Sequence, residues 1–379
     1  MKILVLNAGS SSLKYSLFQG DDSHLVAHGV IEQLAEHSER DHAWALAQTE
    51  AALIEQGYIR ELGDCEAVGH RVVHGGERFQ APARITTEVL DAIKTLCELA
   101  PLHNPANLAP IQHIWTHYPR LPQVAVFDTA FHQSLPAYAY HYAIPQYFYD
   151  AHRIRRYGFH GTSHEYIAQR TASLTQVPRN QSHLISMHLG NGASVCAIEY
   201  GHSIDTSMGF TPLEGLIMGT RSGDLDPAIL LYLINHLGYD PKELDTLLNK
   251  QSGLKGLVGH NDMRQLLDMA DAGDTQAHLA IEMFVYRLVK TVGGYLAIMD
   301  NLEALVFTGG IGEHAAQIRE RVIGRFPAHF GLKLDASANR KVAGETCIST
   351  ADSRYQIWVI PTDEEWQIAQ HTLAQLETK

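Results

Sequence analysis

Three glycine-rich segments, Gly9-Ser10-Ser11-Ser12, Gly190-Asn191-Gly192 and Gly309-Gly310-Ile311-Gly312, each follow a short apolar run. Phosphate is bound by backbone N–H groups brought close to it, and only Gly, Ser and other small residues permit that approach. A single glycine turn is ordinarily only a turn, but three such junctions in one acidic chain point to a nucleotide. None is a P-loop, because the GxxxxGKS/T pattern is absent.

Two arginines stand where solvation explains them poorly: Arg71 in HRVVHGGE and Arg221 in GTRSG. A carboxylate acceptor is already ionised at neutral pH. Phosphoryl transfer to it needs no general base, but it does need cations to bring two anions together. A structural ion pair is the competing reading for either arginine taken alone. Asp128, at a strand end, and Glu364, at a helix start, are candidates for the Mg2+ shell, since Mg2+ in such sites takes few carboxylates, several waters and the phosphates. For Glu364 the alternative is a first-turn partner of the helix dipole. His160 and His164 are spaced to share a helix face as metal ligands, but no HExxH pattern accompanies them. His164 reads as part of a loop leading into a helix, and most of the 23 histidines read as surface residues.

Residues 3–6 and 13–18 are expected to form a hairpin around the first glycine segment. A second hairpin, residues 184–187 and 195–198, has Asn191-Gly192 at its tip, a pair that favours a tight turn with positive φ. Two such hairpins about 180 residues apart suggest a duplicated plan. Helices are expected over 41–55 and 88–99, a Pro-rich turn over 101–105, and a strand over 123–127 that ends at Asp128. Residues 131–149 read as a surface excursion or interdomain connection. Residues 209–227 form a long ordered loop, closed where Asp226 caps and Pro227 begins a helix through Leu237. A strand at 304–307 leads through the third glycine segment into a helix reaching Val322. The last strand, 357–360, stops at Pro361, and Thr362 with Glu365 spells a capping box for the final helix. Mixed sheets covered by helices, an α/β architecture, follow from this rhythm.

At 379 residues and 45% hydrophobic, the chain has core enough for two domains. A formal charge of −13 argues against a nucleic-acid backbone or an anionic membrane as partner. The four cysteines, Cys65, Cys97, Cys196 and Cys347, form no CxxC pair, which suits a reducing cytoplasm. The apolar run at residues 3–6 is too short for a signal peptide or a membrane span.

The segments MKILVLNAGSSSLKYSLF, HRVVHGGE, PLHNP, VFDTAFH, YGFHGTSH, HLGNGASV, GTRSGDLDP, GGIGE and IPTDEE, in this order across essentially the whole chain, resemble the acetate kinases of the actin-like ATPase superfamily. The resemblance implies two actin-like (ribonuclease H-like) domains with a duplicated core and a cleft between them. Residues 1–127 with 364–379 would form the first domain, and residues 128–363 the second, with the nucleotide site and a dimer interface. It implies a cytoplasmic homodimer that uses Mg2+, or Mn2+ in its place, to move the γ-phosphoryl group of ATP reversibly to acetate, giving acetyl phosphate and ADP.

Carried over by position, the resemblance makes Arg71 and Arg221 neutralisers of carboxylate and transition-state charge, and His160 a γ-phosphate donor. Asn7, Asp128 and Glu364 would serve the metal and phosphate region, with Asn7 and Glu364 at the metal. Ser12, Lys14, His188, Asn191, Gly192, Asp262 and Arg264 would contact the nucleotide, and Gly309, Gly310 and Gly312 would line its adenosine side. Val73, Leu102, Phe159 and Pro212 would wall a methyl pocket, with His103 nearby. Two features depart from the family pattern: the stretch 33–65 is shorter than usual, and Asp363 stands where Asn is customary before the paired glutamates, which could alter metal or nucleotide affinity. The alternatives are a kinase for propionate or butyrate, a pyrophosphate-using variant, an actin-like nucleotide switch without turnover, and a sugar kinase with Asp128 cast as base.

Overall fold

The computed structural model describes residues 1–20, 23–34 and 39–377, so residues 35–38 of the short 33–65 stretch lie outside the described residues. Its contacts divide the chain into two compact units. The first is Met1–Gln133 with Gly161–Tyr166 and Asp363–Lys379, and the second is Ser134–His160 with Ile167–Thr362.

The first unit is built on β1 (Lys2–Ala8), β2 (Ser12–Gln19), β3 (His24–Glu32), β4 (Ala67–Val72), β5 (Ala83–Arg84) and β6 (Gln123–Phe127). The second is built on β7 (His183–Leu189), β8 (Ala193–Glu199), β9 (His202–Thr206), β10 (Ala304–Thr308), β11 (Thr346–Cys347) and β12 (Gln356–Val359). The sheet orders are β3-β2-β1-β4-β6-β5 and β9-β8-β7-β10-β12-β11. In each, an antiparallel three-strand meander continues into two parallel strands and ends on a short antiparallel edge. The correspondence reaches single residues. Ala8 pairs with Leu13 and Leu189 with Ala193, and four positions on, the second strand of each meander carries a bulge, at Leu17/Phe18 and at Ala197/Ile198. This is the duplication that the two hairpins suggested.

Both faces of the first sheet are covered, which is why β1 reads as an unbroken apolar run rather than an alternating one. Leu4 and Leu6 pack with Leu46 and Leu53 of the helix His42–Glu55. Ile3 and Val5 face the other way, onto Ile368, Ala369 and Leu373 of the helix Glu364–Glu377. That helix lies hard against β4: a β-carbon at Gly69 would fall 2.4 Å from Thr372 Oγ1 and 2.8 Å from Ile368 Cγ2. In the second unit, the helix Thr275–Ile298 buries Ala277, Ile281, Phe284, Leu288 and Val292, one stripe at helical spacing.

Several elements differ in detail from expectation. The expected helix over 88–99 is Thr87–Thr95 followed by a single 3-10 turn, Leu96–Glu98. Past β10 there are two helices, Gly309–His314 and Ala316–Arg325, in place of one. The final helix is capped one residue later than the Thr362 box: Asp363 Oδ1 accepts from Trp366 N at 2.9 Å, because Asp is as good an N-cap as Thr and adjoins the first helical residue. Neither Asn191 nor Gly192 has positive φ; the left-handed pair is Tyr200-Gly201, with φ of 54° and 76°, in the two-residue turn from β8 to β9.

Candidate active site

Strands β1, β4 and β6 are mutually parallel, so their carboxyl ends share one edge of the first sheet, the edge at which α/β sheets bind ligands. Asn7 lies near the end of β1, Arg71 near the end of β4, and Asp128 directly follows β6. Arg71 Nε donates to both Asp128 oxygens at 2.9 and 3.2 Å, its Nη2 donates to Oδ2 at 2.6 Å, and Nη1 reaches Asn7 Oδ1 at 3.4 Å. The Asp128 side chain is 1% exposed and that of Arg71 is 21% exposed, so the carboxylate is sealed while part of the guanidinium reaches solvent. Burial disfavours the Arg71 cation, but Asp128 and Glu364 outweigh it and hold the group above the ordinary arginine range.

Glu364 opens the last helix. Its Oε2 is buried without a hydrogen-bond partner among the described residues. Burial pushes the carboxyl up to about 7, with Arg71 and Lys14 opposing and Asp128 and Glu365 reinforcing. A buried carboxylate oxygen lacking a donor fits a cation with a largely hydrated shell such as Mg2+. Among the described residues no group of three or more His, Cys, Asp or Glu is placed to hold a metal.

Asp128 is fixed from behind. Gly161 N, at the start of the helix Gly161–Thr175, donates to Asp128 O at 2.9 Å, and a β-carbon at Gly161 would lie 2.1 Å from that oxygen. Only glycine lets the helix meet the strand end at this distance. Of the remaining candidates in this unit, Lys14 is exposed on β2 opposite Asn7, and Ser12 O closes the glycine turn by accepting from Gly9 N at 2.8 Å. Val73 is buried, Leu102 is exposed, and His103 directly precedes the helix Asn104–His117.

The second unit gathers its own group. His160, with φ of 55°, places Nδ1 2.9 Å from Ser194 Oγ and stacks on His188 with ring centres 4.3 Å apart. A β-carbon at Gly192 would stand 3.4 Å from Arg221 Nη1 and from His160 Cε1 and Nε2, so these two cationic or donor groups flank the same glycine. Arg221 Nη1 also donates to Pro212 O at 3.2 Å. Asn191, exposed at the hairpin tip, accepts from Gly219 N through its carbonyl at 2.9 Å and from Asn261 Nδ2 through its side chain at 2.9 Å. Asn261 precedes Asp262, which caps the helix Met263–Asp271 and pairs with the exposed Arg264 at 2.7 Å. Phe159 is buried.

The loop carrying Arg221 is held without helix or strand from Ser207 to Asp226. Arg156 Nη1 donates to the carbonyls of Thr206, Ser207 and Met208 at 2.9–3.3 Å, and its Nη2 pairs with Glu214 at 2.6 Å. Tyr142 donates to Glu214 and accepts from Phe210 N. Of the stretch 131–149, expected as a surface excursion or interdomain connection, Tyr142 thus braces this loop, while Tyr138, Ile144 and Tyr147 are exposed. Asp226 and Pro227 open the helix Pro227–Leu237 as expected.

Gly309, with φ of 74°, abuts Leu189 O, Gly312 abuts the Phe307 backbone, and Gly310 faces open space. The short helix they open is held by Arg319, 1% exposed, whose Nη1 donates to Gly312 O and Glu313 O at 2.8 and 2.9 Å, while Nε and Nη2 bond Asn339. Burial pulls that guanidinium down to about 10, still a cation at neutral pH. Sequence gives no signal for Arg319, since RERVIGR reads as a charged, exposed helix face. His70, His74, His132, His164 and His183 are buried, exceptions among described histidines that are otherwise exposed or half-buried as expected, and His164 belongs to the first turn of its helix.

A family model described as the acetokinase family matches residues 2–370. The acetate kinase of Pseudarthrobacter chlorophenolicus is 50% identical over 387 aligned positions, covering 99% of this chain and 98% of that protein. That of a Sulfurovum species is 48% identical, covering 98% of each. Among solved structures, Porphyromonas gingivalis acetate kinase matches with a TM-score of 0.93 at 40% identity, over 99% of this chain and 100% of that one. A propionate kinase from Francisella tularensis matches with a TM-score of 0.92 at 43% identity, over 98% and 99%. With its duplicated sheets and its glycine junctions, the chain belongs to the acetokinase family, kinases that transfer phosphate to a carboxylate acceptor.

Proposed function

We propose that the chain transfers the γ-phosphoryl group of ATP reversibly to acetate, with Mg2+, by direct in-line displacement. The observation that carries this reading is the state of Asp128. Both of its oxygens are engaged by Arg71, so it is not disposed to take a proton from a sugar hydroxyl, whereas a carboxylate acceptor asks for no base. Arg71 in the first unit, and Arg221 with His160 in the second, are assigned to the charge that builds on the transferring group and acceptor. His188, Asn191 and Gly192 are assigned to the phosphates, with Asp262 and Arg264. Gly309, Gly310 and Gly312 are assigned to the adenosine side, and Ser12 and Lys14 to the nucleotide as well. Val73, Leu102, Phe159 and Pro212, with His103, are assigned to the acyl group. Glu364 and Asn7 would hold Mg2+, which when bound screens phosphate charge and orients the oxygens.

The Francisella propionate kinase keeps a second acceptor in view. One methylene in an apolar pocket discriminates by only about 1–3 kcal/mol, so activity on propionate is expected alongside acetate. Initial rates of ADP release with acetate, propionate, butyrate and glycerol, with and without chelator, test the reading. The highest kcat/KM with acetate, abolished by chelation, supports it, and release with glycerol alone would overturn it.

A homodimer in a reducing cytoplasm belongs to the same proposal. All four cysteines are free, and no helix of the described residues is long and apolar enough to cross a membrane. The helix Pro227–Leu237 buries none of its residues, and Leu231, Tyr232 and Leu237, spread around it, are 57–60% exposed, an apolar element suited to burial against a second copy. Light scattering of Leu231→Asp should give a monomer where the parent gives a dimer.

A further inference from the structure

The helix Asn104–His117 buries two amides in its first turn, Asn104 at 0% and Asn107 at 3% exposure. Three residues apart, they share a face. A buried amide is costly unless bonded, and each of these bonds backbone alone. Asn107 Oδ1 accepts from Val73 N at 2.9 Å, and its Nδ2 donates to Ala8 O at 2.6 Å. Asn104 Oδ1 accepts from His74 N at 3.0 Å, and its Nδ2 donates to His74 O at 3.0 Å. The partners dictate how each amide is oriented, since an N–H must meet the oxygen and a carbonyl the nitrogen.

These bonds fall where the sheet ends. β1 stops at Ala8 and β4 at Val72, and the last ladder-like bond beyond β4 is Asp128 N to Val72 O at 3.0 Å. Past that point Val73 and His74 have left the ladder, and the two side-chain amides stand in for the missing strand. Asn107 therefore ties the residue after Asn7 to the residue two beyond Arg71, and it fixes the backbone of Val73, an assigned wall of the acyl pocket.

We infer that Asn107, supported by Asn104, is a positioning residue that sets the seat of the carboxylic acid and so its selectivity for acetate over longer acids. The inference rests on the carboxylate-kinase reading above. Asn107→Asp keeps the shape and the acceptor for Val73 N, but sets an anion against Ala8 O; Asn107→Ser shortens the reach and keeps a hydroxyl. Both variants and the parent are compared for kcat and KM with acetate, propionate and Mg-ATP, and for melting temperature. The expected result is a rise of tenfold or more in KM for acetate and at least a fivefold fall in the acetate-to-propionate kcat/KM ratio, with KM for Mg-ATP within twofold. Asn107→Asp should regain selectivity as pH falls, because a protonated carboxyl presents the same donor and acceptor as the amide. Should Asn107→Asp fail to fold, Asn107→Ser carries the comparison alone; should both fail to fold, the residue is structural and the inference is overturned. Folded variants with unchanged KM and selectivity, or equal losses with every substrate, overturn it while leaving the function intact. A parent that phosphorylates no acid sinks both.

Discussion

Removing Arg71 should injure stability and catalysis by separable amounts. Asp128 is 1% exposed, and Arg71 donates to both of its side-chain oxygens. Arg71→Ala leaves it buried and unpaired, close enough to Glu364 to raise the pKa of that carboxyl. Breaking a buried pair by deleting one partner costs about 3–5 kcal/mol. At roughly 2–4 °C per kcal/mol, the melting temperature should fall by roughly 6–20 °C. Loss of one preorganised charge stabiliser costs on the order of 100-fold in turnover or more. Arg71→Ala/Asp128→Asn removes the stranded charge, so it should recover at least half of the lost stability and none of the lost turnover. The assays are thermal denaturation of the unliganded proteins at pH 7.5 and ADP release at saturating Mg-ATP and acetate. A double variant as unstable as the single, or a turnover loss under threefold in Arg71→Ala, would refute the reasoning.

Glu364→Gln should stabilise the unliganded protein above pH 7 by about 3 kcal/mol and abolish Mg2+-dependent turnover. The folded carboxyl sits at about 7, above its unfolded value of 4.5, so its contribution is full below 4.5 and is lost as pH rises through 7, a loss the amide escapes; melting curves at pH 5.5 and 8.5 check the sign. Gly161→Ala should lower the melting temperature and reduce kcat tenfold or more, since its methyl would fall 2.1 Å from Asp128 O; normal kinetics would show the helix start to be yielding. Acidification should weaken the fold before the ordinary carboxylates titrate, because the loss at two buried histidines exceeds what protonation of Glu364 returns. Burial pulls His70 down to about 4 despite its bond to Gln123, and burial with His103 nearby pulls His74 to about 4. With folded values below the unfolded 6.5, each loses stability as pH drops under 6.5, about 2 kcal/mol by pH 5. A His74→Asn variant whose melting falls as steeply between pH 7 and 5 would contradict this.

The parts of the structure written in local patterns were legible in the sequence. The strand 123–127 ending at Asp128, the Asp226-Pro227 helix start and the paired hairpins all follow from runs of apolar residues and from caps. What escaped was set by tertiary contact. Asn191-Gly192 has the composition of a primed turn, yet the tip instead presses Asn191 onto Gly219 and Asn261, while Tyr200-Gly201, with a bulky first residue, makes the left-handed turn. Asn104 and Asn107 look like ordinary first-turn residues of a helix, and only the ends of β1 and β4 show what they bond. Arg319 reads as a solvated charge until Asn339 closes over it. Arg71 and Asp128 were each singled out, but their direct pairing joins positions 57 apart in sequence, a distance over which no spacing rule operates.

The most direct test of the central claim is acyl phosphate formation trapped with hydroxylamine, using the purified protein with Mg-ATP or Mg-pyrophosphate and acetate, propionate, butyrate or glycerol in parallel. Acetyl hydroxamate formed fastest with acetate and ATP is the result this account requires. No hydroxamate with any acid, from a folded protein that still binds ATP, would contradict it and leave a nucleotide switch or a sugar kinase as the reading to pursue.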